Sequence, residues 1–378
     1  MFEENFGTEP AAVGVAPGRV NLIGEHVDYE GGLALPMAIN RWIAVALKTC
    51  DQARVKGVTT ESPGKPWEQT TGKRRPDGPW VKYIVGVLEG YRRLGWKAAG
   101  ANIAVSSSLP AGAGLSSSAA LETAAAVAME ACGAPALPAK DRAALCQRAE
   151  QDFAGVPCGI MDQLTAGCAR AGHALSIDCR DLECATVALP QGISVLVVDT
   201  RVRHKLGESE YPRRRSECRK AAELLNVKLL RDASLDQIET RLDHARDHVI
   251  SRRARHVVSE IERVTEFVAA LRLDDREGIR RAMSGSHDSL RDLFDVSCPE
   301  LDTLVEIGRE QQGVVGCRMT GGGFGGSVVM LVETTFLNAV ETEILSRYSA
   351  ATGLEARALR VEPAAAARVV ELEKTLEP

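Results

Sequence analysis

The feature that most constrains the fold is a segment near the N-terminus, which reads APGRVNLIGEHVDYEGGLALPMAIN from Ala16 to Asn40. Its charged side chains and its glycines are interleaved between aliphatic runs. A helix would not tolerate this many glycines, and an ordinary strand would not cluster its charges in this way. We therefore predict a loop that holds something polar and is mounted on buried strands.

Composition limits the class of protein. The chain has 378 residues, 45% apolar and 26% charged, which is typical of a globular protein with one large or two ordinary domains. Its net charge of -5 argues against nucleic acid or an anionic membrane as a partner. The start of the chain lacks the features of a signal peptide, and the ten cysteines include no C-x-x-C pair. We therefore expect reduced thiols and a cytoplasmic protein.

A second glycine-containing segment, SSLPAGAGLSSSAALE over residues 107–122, precedes an alanine-rich run that predicts a helix. Backbone N–H groups at a helix N-terminus carry partial positive charge, and glycines let a phosphate approach them closely. One interpretation is therefore a phosphate-binding loop. The other is that the serines Ser116 to Ser118 only cap the helix. No Lys-Ser or Lys-Thr pair follows the glycines, which excludes a Walker P-loop.

A third segment, MTGGGFGGSVVML over residues 319–331, places five glycines around Phe324 between two predicted strands. This is more glycine than a hairpin needs, although a flexible turn would also explain the pattern. Composition changes near residue 190, beyond which the pattern is richer in helices. Predicted helices cover residues 140–153, 244–273, 275–295 and 298–311. We predict two α+β halves, and a cleft between them is the natural place for a site.

These three segments, in this order, resemble the motifs of the GHMP small-molecule kinases, and in detail those of the galactokinase family. GRVNLIGEHVDYEGGLALPMA resembles the galactokinase signature, PAGAGLSSSAALE the phosphate loop and MTGGGFGG the third motif. The stretch AEQDFAGVPCGIMDQ, residues 149–163, is also similar, and the resemblance extends from about residue 16 to 332 with its spacing intact. It implies a two-domain GHMP kinase fold with the active site in the cleft. A ribosomal-S5-like domain would cover residues 1–192 and a ferredoxin-like domain residues 193–378.

The resemblance implies ATP-dependent phosphorylation of α-D-galactose at its anomeric oxygen, O1, giving galactose 1-phosphate and ADP. Two alternatives stay open. One is a related sugar 1-kinase that acts on another hexose, such as N-acetylgalactosamine. The other is a non-catalytic sensor that binds sugar and ATP on the same fold. The intact SSSAA loop together with Asp162 and Arg19 argues against a sensor, since a protein without catalysis has no need of all three.

The resemblance also assigns the reacting groups. Asp162 matches the catalytic aspartate, which would accept the proton of the anomeric hydroxyl or orient it. Arg19 matches the essential arginine, which would stabilise negative charge passing from sugar to phosphate. Ser118 and Glu150 match the residues that hold Mg²⁺. A hydroxyl and a carboxylate, completed by water and phosphate oxygens, suit this ion.

Two sets of binding residues complete the prediction. The implied sugar-binding residues are Glu25, His26, Val27, Asp28, Gly159 and Tyr211. The implied ATP-binding residues are Gly112, Ala113, Gly114, Leu115, Ser116, Ser117 and Ser118, with Trp80 and Tyr83 near the adenine. Val27 is the clearest departure from the family, since many galactokinases have threonine there, and the two aromatic residues could equally be a packed pair at a helix start. We expect a monomer whose partners are galactose and ATP.

Overall fold

The computed structural model describes residues 1–62, 65–71, 78, 80–110, 112–203, 207–243 and 248–371. The strands in this part of the chain are β1 (Ala12–Asn21), β2 (Leu33–Ala34), β3 (Pro36–Cys50), β4 (Arg54–Thr59), β5 (Trp67–Thr70), β6 (Gly100–Ser107), β7 (His173–Asp178), β8 (Glu183–Ala188), β9 (Ile193–Arg203), β10 (Val314–Thr320), β11 (Gly325–Glu333), β12 (Arg357–Val361) and β13 (Arg368–Val370). The helices are α1 (Phe2–Phe6), α2 (Val81–Arg93), α3 (Ser117–Ala131), α4 (Ala139–Ala149), α5 (Met161–Cys168), α6 (Gly207–Leu225), α7 (Leu235–Ile238), α8 (His248–Leu273), α9 (Arg276–Ser289), α10 (Pro299–Arg309) and α11 (Leu337–Thr352).

The strands form three sheets. The first has the order β13-β1-β3-β6-β4-β5, in which only the β4–β6 pair is parallel. The second, β2-β7-β8, and the third, β10-β11-β9-β12, are antiparallel. The predicted division after residue 192 falls between β8 and β9. However, β13 pairs with β1, so the last described strand belongs to the first sheet and not to the second half of the chain.

The predicted helices are present, with two local differences. The helix predicted over residues 140–153 ends as an α-helix at Ala149 and continues as a π-helical turn, Glu150–Ala154. The helix predicted over residues 275–295 ends in the same way, with a π-helical turn at Leu290–Phe294. Residues 244–247, the start of the helix predicted over residues 244–273, lie outside the described residues. Turns of this kind are frequent at functional sites, and the first one begins with a predicted metal ligand.

Helix α3 packs unusually close to β1, and this contact sets the position of the second glycine segment. A Cβ atom at Gly14 would lie 2.2 Å from the carbonyl oxygen of Ala124 and 2.9 Å from the amide nitrogen of Ala128. The alanine-rich sequence of α3 allows this approach, because its side chains are small. Beyond Gly14, the Arg19 N–H donates to the carbonyl of Leu115 at 3.1 Å. The loop before α3 is therefore fixed against the end of β1.

All ten cysteines are free thiols. Within the described ranges, every helix is too short or too polar to cross a membrane.

The contact between β1 and α3 predicts the effect of one substitution. Gly14→Ala should lower the free energy of unfolding by about 2 kcal/mol or more, because the added methyl group meets the backbone of α3 and the stiff Val127 side chain. The matched control is Gly285→Ala in α9, where the nearest atom is the Arg263 Cδ at 3.4 Å. That change should be neutral or stabilise by up to about 1 kcal/mol. Equal effects of the two substitutions in urea unfolding would contradict the proposed packing.

Candidate active site

The structure brings residues from the first and third glycine segments into one cavity of about 170 Å³ with the stretch around Asp162. The predicted residues that line it are Arg19, Glu25, His26, Asp28, Glu150, Gly159, Asp162 and Tyr211. Residues that sequence reasoning did not assign also line it, namely Val156, Cys158, Met161, Gly321 and Gly322. The cavity lies where the first sheet and its helices meet the third sheet.

An ion pair between Arg19 and Asp162 forms one wall of the cavity. Strand β1 supplies Arg19 and the first turn of α5 supplies Asp162. The Arg19 Nε and Nη2 donate to the two carboxylate oxygens of Asp162 at 2.7 and 2.9 Å, while Nη1 donates to the Gly114 carbonyl at 2.7 Å. Bidentate pairs of this kind fix both partners in orientation. One guanidinium therefore holds both Asp162 and the second glycine loop.

One interpretation of the sequence predicted that Ser116 caps α3, but in the structure its side chain does not cap the helix. It is the residue before the first helical position, and its φ of 55° lies in the left-handed region. Its hydroxyl makes no bond to the N–H groups of the helix and instead donates to Asp162 Oδ2. A non-glycine residue in this conformation carries a cost that is typical of functional sites. Ser116 therefore belongs to the Asp162 environment.

Asp28 lies opposite Asp162 in a short 3₁₀ turn, Asp28–Glu30. A Cβ atom at Gly159 would lie 1.8 Å from Asp28 Oδ2, so only glycine fits beside this carboxyl group. Burial, and then the negative charge of Asp162, raise the pKa of Asp28 to about 6. Hydrogen bonds from the backbone N–H groups of Tyr29 and Met161 oppose this rise. The site thus holds a carboxylate whose ionised form is disfavoured until other donors arrive.

His26 is neutral, and both of its ring nitrogens are bonded within the protein. Nε2 lies 3.1 Å from the Gly322 carbonyl, which can only accept, so Nε2 carries the proton. Nδ1 then accepts from the Tyr29 hydroxyl at 3.2 Å. Burial, followed by the nearby His256, lowers the pKa of His26 to about 3. Its imidazole therefore shapes the cavity wall and positions Tyr29 and Gly322.

Glu25 connects the first glycine segment to the third. Its Oε1 accepts from the Gly321 N–H at 2.7 Å and from the Thr320 hydroxyl at 3.2 Å. The buried Arg318 Nη1 lies 3.5 Å from the same oxygen and donates to the Asn21 carbonyl at 3.2 Å. The signal for this role was an arginine within the otherwise apolar strand of residues 314–319. The third segment is therefore held in place by its hydrogen bonds to Glu25, and it is not a flexible turn.

The structure places the Val27 side chain away from the cavity, so its contact with sugar stays a prediction. Its side chain is fully buried in the apolar core that lies against the third sheet, and it is absent from the residues that line the cavity. Its carbonyl accepts the N–H groups of Glu30 and Gly32 at 3.1 and 2.8 Å, which closes the turn. Burial of the apolar Val27 side chain stabilises the fold. The side chain of the next residue, Asp28, faces the cavity instead.

A second pocket, of about 370 Å³, contains the two predicted aromatic residues. Trp80 and Tyr83 line it together with Ser117 and Ser118 of the loop. Strand β4 makes room for the indole, because a Cβ atom at Gly57 would lie 2.6 Å from the Trp80 ring. An apolar pocket thus leads to the start of α3.

The predicted ATP-binding loop has two kinds of residue. Ala113 and Leu115 are buried, and their carbonyls accept from the Ser327 hydroxyl and the Arg19 N–H. Gly112 and Ser117 are exposed. The buried members hold the loop against β11 and β1, so the exposed members remain accessible to a phosphate.

Ser118 and Glu150 lie together beside Asp162, as expected of a pair that holds Mg²⁺. Burial and the charge of Asp162 raise the pKa of Glu150, and the Ser118 hydroxyl is close enough to oppose that rise. No group of three or more His, Cys, Asp and Glu side chains in the described ranges is arranged to hold a metal ion. A single carboxylate and a hydroxyl still fit Mg²⁺, which usually takes its other ligands from water and phosphate.

Comparison with known proteins follows the same segments. Residues 1–49 match the galactokinase galactose-binding signature, residues 82–170 the GHMP kinases N terminal domain and residues 267–349 the GHMP kinases C terminal family. A galactokinase from Streptomyces coelicolor is 42% identical over 374 residues, which cover 97% of this chain and 96% of that protein. The chain belongs to the galactokinase family. The human galactokinase is 44% identical over 346 residues, 88% of this chain and 87% of that protein.

Solved structures agree with this assignment. A Lactococcus lactis galactokinase complexed with galactose has a TM-score of 0.93 and 29% identity, with 97% of both chains covered. A mevalonate kinase from Methanococcus jannaschii has a TM-score of 0.63 at 19% identity and shares the fold alone. The predicted two-domain GHMP kinase fold is therefore confirmed.

The raised pKa of Asp28 predicts that the site destabilises the sugar-free protein. Because the folded pKa is above the unfolded value of 3.8, the stability of the protein falls as pH rises from about 4 to 6. Asp28→Asn removes this ionisation and should raise the free energy of unfolding at pH 7.5 by roughly 1–3 kcal/mol, with about half of that gain at pH 5. Urea unfolding at the two pH values measures it. A loss of stability at pH 7.5 would contradict the assignment.

Proposed function

We propose that this chain transfers the γ-phosphoryl group of ATP to O1 of α-D-galactose and releases α-D-galactose 1-phosphate and ADP. The observation that carries the proposal is the Arg19–Asp162 ion pair in a polar cavity, since a kinase must position a hydroxyl and balance the transferred charge. Similarity to galactokinases over nearly the whole chain supports the same reaction. So does the likeness to a galactokinase solved with galactose.

In this proposal, Asp162 orients the O1 hydroxyl and takes up its proton. Arg19 and Ser116 hold the carboxylate in place, so that one oxygen faces the sugar without searching other rotamers. Arg19 also stabilises the negative charge that develops as the phosphoryl group moves. Asp28, Gly159 and the Oε2 atom of Glu25 would bind the remaining hydroxyls.

The donor would occupy the second pocket. Trp80 and Tyr83 would flank the adenine, and the exposed backbone from Gly112 to Ser118 would contact the triphosphate. Ser118 and Glu150 would hold Mg²⁺, which neutralises triphosphate charge when bound.

We also propose that the chain acts as a monomer in the cytoplasm, and its ten free thiols suit a reducing compartment. The two domains would divide near residue 192, with β13 joined to the first. Neither alternative is favoured by a specific observation. A sensor would not need Asp162 aimed at the sugar, and no contact singles out an acetamido group.

ADP release across a panel of sugars tests the proposal. We expect galactose to exceed glucose, its C4 epimer, by at least about 100-fold in kcat/KM, because the epimer leaves a buried polar partner unpaired. Galactose should also exceed N-acetylgalactosamine. Asp28→Ala should reduce galactose use and narrow its lead over glucose. Comparable efficiency on both epimers would favour a broader sugar kinase, and the absence of ADP release with every sugar of the panel would favour a sensor.

A further inference from the structure

Gln163 follows Asp162 directly but takes no part in the proposed chemistry. It is fully buried at the point where three helices meet, since α3 supplies Glu122, α4 runs into Glu150 and α5 supplies Gln163. Its side-chain amide Nε2 donates to Glu150 Oε2 at 2.7 Å and to Glu122 Oε2 at 3.2 Å. One NH₂ group therefore joins two carboxyl groups, one of which is the proposed Mg²⁺ ligand.

Glu122 is the second unusual member of this group. It is 0% exposed, and among the described residues no cation forms a salt bridge with it. Its other oxygen, Oε1, has no hydrogen-bond partner there. A buried carboxyl group held by a single amide is costly, and an apolar residue at this position would be cheaper for stability alone. Its presence therefore indicates a role in the site beside it.

The geometry of an amide explains that role. Gln163 has two N–H donors, and each of them is directed to one carboxyl group. The contact with Glu122 prevents the amide from turning over, since a flip would place the carbonyl oxygen of Gln163 against both carboxyl groups. With its orientation fixed, Gln163 holds Oε2 of Glu150, a carboxyl group that the Ser118 hydroxyl and the Cys158 thiol also approach. Partners of this kind commonly tune metal sites.

We propose that Gln163 is a positioning residue for Glu150, and that Glu122 fixes the Gln163 amide in the orientation this requires. The inference rests on the proposed role of Glu150 as a Mg²⁺ ligand. It extends the metal site by two buried residues, Glu122 on α3, which also supplies Ser118, and Gln163 on α5. The two adjacent residues then have separate roles, since Asp162 acts on the sugar hydroxyl and Gln163 positions the proposed Mg²⁺ ligand Glu150.

Calorimetric titration of ADP at a series of Mg²⁺ concentrations, with galactose saturating, tests the inference without turnover. Gln163→Met keeps the length of the side chain and removes both donors, so the Mg²⁺ concentration needed for half-maximal ADP binding should rise by about 10- to 100-fold. Galactose binding without nucleotide and metal should stay within about 2-fold of wild type, because Gln163 does not line the cavity. Gln311→Met is the matched control at a half-buried glutamine in another part of the fold, and it should leave both values unchanged.

The Glu122 variants keep the test decisive if Gln163→Met does not fold. Glu122→Gln keeps an acceptor oxygen for the Gln163 amide, so its Mg²⁺ requirement should stay within about 3-fold of wild type. Glu122→Leu removes the acceptor and should raise that requirement by about 10-fold. Equal Mg²⁺ requirements for Glu122→Leu and wild type, with a changed melting temperature only, would assign the pair a purely structural role and overturn the inference.

Glu150→Ala separates this inference from the proposed function. If its Mg²⁺ requirement matches wild type, the metal lies elsewhere and the assignment of Glu150 fails. If Glu150→Ala raises the requirement but Gln163→Met and Glu122→Leu do not, only the positioning role fails.

Discussion

The bidentate contact between Arg19 and Asp162 is the interaction on which the rest of the site depends. It joins the end of β1, the loop before α3 and the first turn of α5, three parts of the chain that are distant in sequence. A carboxylate this close to Asp28 and Glu150 would otherwise be repelled, so the guanidinium makes the acidic cavity possible. Because Arg19 also holds Gly114, the cavity around Asp162 and the glycine loop before α3 share one support.

The remaining supports come from the third glycine segment. Gly321 and Thr320 hold one oxygen of Glu25, and the Gly322 carbonyl accepts a hydrogen bond from His26 Nε2. The site is thus closed by two halves of the chain, with polar groups arranged for a substrate and not for the stability of the empty protein. The carboxyl groups crowded around Asp28 likewise destabilise the empty protein, and hydrogen bonds from a bound ligand would offset this repulsion.

Much of this was predictable from sequence, because glycine loops and their flanking charges are local signals. The helix after the phosphate loop and the convergence of Arg19, Asp28 and Asp162 followed from the motifs. Contacts between distant segments that no motif marks were not predictable. Val27 adjoins Asp28 in sequence, yet packing turned its side chain into the core. Ser116 resembles a helix cap, yet its backbone conformation aims the hydroxyl at Asp162. Gln163 and Glu122 carry no motif of their own, and only the meeting of three helices joins them to Glu150.

The central claim is that Asp162 acts on the sugar hydroxyl during phosphoryl transfer, and single-turnover kinetics of Asp162→Asn test it most directly. The amide oxygen still accepts one of the two Arg19 hydrogen bonds, so the protein should fold and bind galactose, while the transfer rate should fall by roughly 10²- to 10⁴-fold. Asp152→Asn, at an exposed position paired with Arg93, is the matched control and should keep the wild-type rate. A transfer rate within a few-fold of wild type in a folded Asp162→Asn protein that binds galactose normally would contradict the account.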